Sequence, residues 1–179
     1  MADARSALPT APREHDHDGQ RRGRGFRIAF FVGLAVFVVS AAAGLFGEHA
    51  RTVAGRDNGY ELVVRYPQVT RPGLSSSLEF VIRRVDGGVL PGTLALETDV
   101  GYLRLYDDRA VEPTPDGVRG DGDDLVWTLV PEGDAHELRV LLDGRIDPGI
   151  DPGRHEGTTT LSAGADRLVS VTYRTWVWP

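Results

Sequence analysis

Any chemistry in this chain has to come from oxygen and imidazole groups, because it contains no cysteine. That removes disulfides, thiolate nucleophiles and cysteine-ligated metals together. The densest carboxylate group is Asp121, Asp123 and Asp124, with Asp116 upstream. Hard cations take several carboxylate and carbonyl oxygens, so these four aspartates are candidate calcium ligands. They do not follow the EF-hand order, and no glutamate closes the loop, so the competing reading is a solvated acidic loop and no bound metal is expected. His15 and His17, flanked by Asp16 and Asp18, suit a transition metal, but on a polar tail they serve solubility. His49, His136 and His155 have no partner at a metal-ligand spacing. Ser75, Ser76 and Ser77 follow Pro72-Gly73 without the G-x-S-x-G surroundings of an activated serine. Arg119-Gly120-Asp121 spells an adhesion tripeptide, which a Gly- and Asp-rich loop produces by chance. The expectation is a protein that is not an enzyme and carries no cofactor.

The pattern richest in contact chemistry is the C-terminal stretch 169–178. At a period of two, Thr172, Arg174, Trp176 and Trp178 share one face, while Val169, Val171, Tyr173 and Val177 share the other. One face reads as core. On the other, Arg174, Trp176 and Trp178 are candidate partner-contact residues, since Trp and Arg are enriched at protein contacts. The competing reading is a last strand buried on both faces, its tryptophans sealing one end of the core.

The elements that would position this face begin at Tyr60, where the period becomes two. Strands are predicted over 60–67, 78–83, 94–97, 102–106, 125–130, 138–142, 158–162 and 168–178, separated by Gly, Pro and Asp. The segments 110–124 and 143–157 read as surface loops. Acids such as Glu61, Glu79 and Glu97 lie on faces shared with arginine, which predicts cross-strand ion pairs. With no helical period after residue 47, residues 60–179 read as an all-β domain, an antiparallel immunoglobulin-like sandwich of about eight strands.

Before this domain stands the run 28–47, twenty residues without a charge. As a helix it would span roughly 30 Å, the thickness of a bilayer's hydrocarbon core. Arg21, Arg22, Arg24 and Arg27 precede it, and residues 1–27 carry net +2 against −8 for 48–179. Positive charge stays on the cytoplasmic side. The expected organisation is a disordered cytoplasmic tail over 1–27, a transmembrane helix over 28–47, a polar linker over 48–59 and an exported domain over 60–179. The alternative is a signal peptide cleaved near Ser40-Ala41-Ala42-Ala43. Gly33, Ser40 and Gly44 are candidate helix-packing positions, because small residues four apart let helices approach closely, whether in a homodimer or against another helix.

All twenty basic residues are arginine, a bias of GC-rich bacterial codon usage. The exported part is acidic, which argues against nucleic acid as a partner. With its basic tail, Gly44-Leu45-Phe46-Gly47, the strand 60–67 and the ending Tyr173-Arg174-Thr175-Trp176-Val177-Trp178-Pro179, the chain resembles small bacterial single-pass membrane proteins with an exported immunoglobulin-like sandwich. The resemblance implies topology and fold and carries over no catalytic residue. The functional expectation is a bitopic inner-membrane protein, N-terminus cytoplasmic, acting as a binding or accessory subunit against another membrane or envelope protein. The alternative is an exported ligand- or calcium-binding module.

Overall fold

The computed structural model describes residues 17–42 and 49–179, which fall into two units divided after Gly47. The first unit contains one helix, α1 (His17–Ala42). It starts well before residue 28, so the part of the tail from 17 to 27 is helical rather than disordered. Its run of Gln20, Arg21, Arg22 and Arg24 is helix-compatible, and no proline stands between Pro12 and Pro67 to stop it. Along 26–39 the large apolar side chains, Phe26 to Val39, are exposed on every side of the helix. Among the described residues no helix is long and apolar enough to cross a membrane. The last five residues of the uncharged run, 43–47, lie outside the described residues, as does the tail 1–16.

The second unit is mostly β. Its strands are β1 (His49–Asp57), β2 (Tyr60–Thr70), β3 (Ser75–Arg84), β4 (Leu94–Asp99), β5 (Tyr106–Glu112), β6 (Gly117–Asp121), β7 (Asp124–Leu129), β8 (Glu137–Ile146), β9 (Gly153–Ala163) and β10 (Asp166–Val177), with one helical turn, α2 (Val100–Leu103). Nine strands follow the order β5-β8-β3-β2-β10-β9-β4-β7-β6, and β1 adds to β2. Every pairing is antiparallel except β2 with β10, where only Val69 and Thr70 meet Trp176 and Val177. The two separate sheets of the expected sandwich are therefore joined, through this short parallel pair, into one curled mixed sheet. Its wings share a core that holds Leu62, Phe80 and Leu142 from one and Leu96, Trp127 and Tyr173 from the other. Phe80 meets Trp127 edge to face at 6.1 Å between ring centroids.

Several boundaries differ from expectation. The linker 48–59 contains β1, whose only large apolar residue is Val53, packed on the core opposite Val64. Its hairpin turn is Asn58-Gly59, both at positive φ, the two-residue signature of tight hairpins. Strand β2 does not stop at Pro67. Its pairing with β3 ends at Arg65 and its pairing with β10 begins at Val69, so proline, which has no N–H to give a ladder, sits where the strand changes partner. The expected strand 102–106 is instead α2 followed by β5. Asp99 caps that turn, its carboxylate accepting from the Gly101 and Tyr102 amides at 2.6 and 3.3 Å. Inside the expected loop 110–124 lies β6, and β8 and β9 take both ends of the loop 143–157.

Buried hydroxyls lace the centre. The Thr175 hydroxyl donates to the Pro67 carbonyl at 2.6 Å, so the Tyr102 hydroxyl, 2.7 Å away, donates to Thr175. Tyr173 meets Thr159 at 2.8 Å, and Thr159 meets Thr98 at 3.1 Å. Burial pushes the hydroxyl pKa of Tyr102, Tyr106 and Tyr173 well up. At the domain's edge the Glu61 carboxylate of β2 binds Arg56 of β1 at 2.6 Å and Arg83 of β3. Of the other expected ion pairs, Glu79 meets Arg139 at 2.8 Å. Glu97 faces Thr160 and Val126 instead.

The Arg83 hydrogen bond, with help from Arg56, holds the Glu61 carboxyl below its ordinary value near 4.5. A depressed carboxylate stabilises above its unfolded pKa and loses that contribution as pH falls through the folded one. Glu61→Gln should therefore melt lower than the parent at neutral pH, and the gap should close in melting curves recorded as pH drops below about 4.5. A gap that stays constant with pH would show that Glu61 is not the titrating staple. Gly157 gives a second expectation: a Cβ there would lie 2.5 Å from the Tyr102 ring, whose hydroxyl is fixed. Gly157→Ala should cost about 1–3 kcal/mol in chemical denaturation through overpacking.

Candidate functional site

Strand β10 alternates cleanly. Val169, Val171, Tyr173, Thr175 and Val177 are buried, whereas Arg174, Trp176 and Trp178 are exposed. Trp176 and Trp178 keep 48% and 55% of their surface open, so they do not seal the core. They are the exposed aromatic residues of the second unit among the described residues. Hydrogen bonding on the inner face explains the registration: Thr175, between Arg174 and Trp176, is held inward by Pro67 and Tyr102, which turns its neighbours out.

The outer face is completed by β9. Arg154 is the register partner of Trp176, and Glu156 that of Arg174. The Glu156 carboxylate accepts from Arg154 at 2.8 Å and from Arg174 at 3.0 Å, and these bonds, the Arg154 one foremost, hold its pKa below 4.5. All three side chains are about half exposed, so the pairs align the face more than they stabilise it. On the other side of Trp176 lies Val69 of β2, and the Trp178 amide donates to the Thr70 carbonyl at 2.9 Å. The result is a pair of indoles framed by two guanidinium groups.

The other sequence candidates do not converge. Asp121 and Asp124 face each other across the Gly122-Asp123 turn of the β6-β7 hairpin. Asp116 precedes β6 and donates its amide to Thr128 at the opposite end of that hairpin, roughly 16 Å away at the rise of an extended strand. Among the described residues no group of three or more His, Asp or Glu side chains is placed to hold a metal ion. The Arg119-Gly120-Asp121 tripeptide lies along β6. His136 and His155 bond the carbonyls of Gly87 and Asp151. In α1, Gly33 has open space beside its Cα and Ser40 lies in the same helix, whereas Gly44 is outside the described residues.

One feature escaped the sequence reading, a polar groove of about 330 Å³ lined by Glu97, Asp99, Asp124, Thr158, Thr160 and Arg167. Arg167 donates to Thr160 at 3.2 Å, and Thr160 bonds Ser170 at 3.1 Å. The alternation Thr158-x-Thr160-x-Ser162 is the signal that could have pointed to it.

No protein-family model matches the sequence, and no curated protein matches it. Among solved structures, the N-terminal domain of the Streptococcus gordonii adhesin Sgo0707 is similar at 11% identity and a TM-score of 0.46, over 70% of this chain and 32% of that one. A cohesin module from a Clostridium perfringens family 33 glycoside hydrolase gives 9% identity and a TM-score of 0.46, over 70% of this chain and 98% of that one. AggA, the major subunit of Escherichia coli aggregative adherence fimbriae type I, gives 11% and 0.37, over 68% and 97%. The chain spans about a third of the adhesin domain it matches. These neighbours are bacterial adhesin, cohesin and fimbrial-subunit domains, and at such scores they assign no family.

Because the tryptophans lie outside the core, Trp176→Ala and Trp178→Ala should each change unfolding free energy by no more than about 0.5 kcal/mol. Tyr173→Ala, on the inner face of the same strand, should cost ~3–5 kcal/mol. Denaturant titration of the three variants checks the difference, and a large loss for either tryptophan would return that residue to the core.

Proposed function

We propose that this chain is a bitopic protein of the bacterial inner membrane, tethered by residues 28–47, whose exported β domain works by binding rather than by catalysis as an accessory subunit of an envelope assembly. The observation that carries the reading is the outward-facing Arg174, Trp176 and Trp178 on a strand whose opposite face is buried. Apolar exposure rimmed by polar residues marks an interaction surface. The tether rests on the uncharged run and the arginines before it. Inside the bilayer, the small residues Gly33, Ser40 and Gly44 are the proposed packing face toward another membrane protein or a second copy of the chain. The same reading treats the curled sheet as a sandwich-like exported domain, supported by the single core its wings share. Neither a metal nor a cofactor is part of it.

The test is protease treatment of intact spheroplasts bearing the full-length chain with tags at both ends. The proposal expects the C-terminal tag to be lost, the N-terminal tag to be protected until lysis, and the membrane fraction to contain the full mass of 19.5 kDa plus the tags. A soluble product lacking roughly the first 43 residues, the outcome of signal cleavage, would overturn the tether.

A further inference from the structure

We infer that the tryptophan face docks on the lipid headgroup layer of the very membrane that holds the chain, so that the domain lies against the bilayer instead of projecting from it. The inference rests on the tether reading of residues 28–47 and names what covers the face. Its basis is the place where the chain enters the domain. His49, the first residue of β1, pairs with Val69 of β2, and Val69 pairs with Trp176 of β10. At most two strand spacings, about 10 Å, therefore separate the entry point from Trp176.

Connectivity sets the second distance. Only Glu48 stands between His49 and Gly47, the last residue of the uncharged run, so at most about 7.6 Å of chain separates them. The headgroup layer on one side of a bilayer is roughly 5–8 Å thick. With the run in the hydrocarbon core, His49 falls in or just outside the headgroups, and the tryptophans belong to the part of the domain nearest to them.

The chemistry of that end fits a lipid interface. Trp178, beside Thr70, and Leu74, whose carbonyl accepts from the Ile146 amide, are exposed at the same end. Indoles settle where an apolar ring meets a wet polar layer, which is why tryptophan marks the rims of membrane proteins. Arg154 and Arg174 flank the pair with their guanidinium groups at the surface, and arginine side chains suit the same depth. Glu156 offsets one of the two charges, so the attachment is mainly apolar and short in range rather than a basic patch.

The experiment is fluorescence quenching with the full-length protein reconstituted into vesicles of phosphatidylethanolamine and phosphatidylglycerol that carry bromine on the acyl carbons nearest the headgroup. The chain holds three tryptophans, and Trp127 is buried, so it serves as an internal reference. The expected result is loss of the emission contributed by two of the three, with the remaining emission matching that of a Trp176→Phe/Trp178→Phe variant, itself unquenched. Protein that floats with the vesicles but keeps full emission would overturn the inference while leaving the tether intact, and a protein would then be the occupant of the face. Equal quenching of parent and variant would overturn it too. Failure to float after carbonate washing would remove the tether and the inference together.

Discussion

The hydroxyl of Thr175 is the point on which the second unit closes. The two wings of the sheet are joined by only two register pairs between β2 and β10, far too short a parallel ladder to hold a fold by itself. Thr175 lies one residue before that ladder, donating to the Pro67 carbonyl and accepting from Tyr102. It thereby links β2, β10 and α2 in one buried contact. A buried hydroxyl with both roles filled has no unmet desolvation cost, and its low-dielectric surroundings strengthen each bond. Pro67 supplies the complementary part: it lacks the N–H that a partner change would leave unpaired.

From that junction the rest follows by alternation. With Thr175 fixed inward, Tyr173 packs on Tyr102 at 4.8 Å and on Tyr66 at 5.4 Å between ring centroids. Gly157 keeps its strand close enough for the Tyr102 ring to lie over it. Tyr102 in turn is presented by α2, which exists because Asp99 caps its first amides. The outward neighbours of Thr175 on β10 are Arg174 and Trp176. The exposed aromatic face is thus a consequence of the same hydrogen bond that closes the core, and a change at Thr175 would disturb both.

Where burial is decided by a side chain's own character, the sequence was legible. The alternations of 60–66, 78–83 and 169–178 appear in the structure with the expected residues inside, and Trp176 and Trp178 face outward as one of the two readings required. What could not be read depends on partners distant in sequence. Strand β1 has too few apolar residues to announce itself and is held by β2 and by the Arg56–Glu61 pair; Asn58-Gly59, inside the expected linker, is its local hairpin signal. The turn α2 was hidden because Tyr102, Leu103 and Tyr106 suit a strand as well as a core-facing turn, and only the Asp99 cap separates the two. The polar groove gathers residues of β4, β7, β9 and β10, and the Thr175 network joins β2, β10 and the turn α2, which no local period can bring together. The four aspartates do not form one group for the converse reason: Asp116 lies a strand's length along the hairpin from Asp121, Asp123 and Asp124 at its turn.

Electrostatics narrows how such a domain can act. Residues 48–179 carry net −8, and an acidic body is repelled by an anionic surface at distances up to a Debye length, about 8 Å at physiological salt. The Arg154–Glu156–Arg174 group leaves only one positive charge beside the tryptophans, too little to reverse that field. Long-range electrostatics alone therefore does not draw this face to an anionic surface. Under the proposed tether a fixed effective concentration replaces diffusion, and the contact needs only the short-range burial of two indole rings.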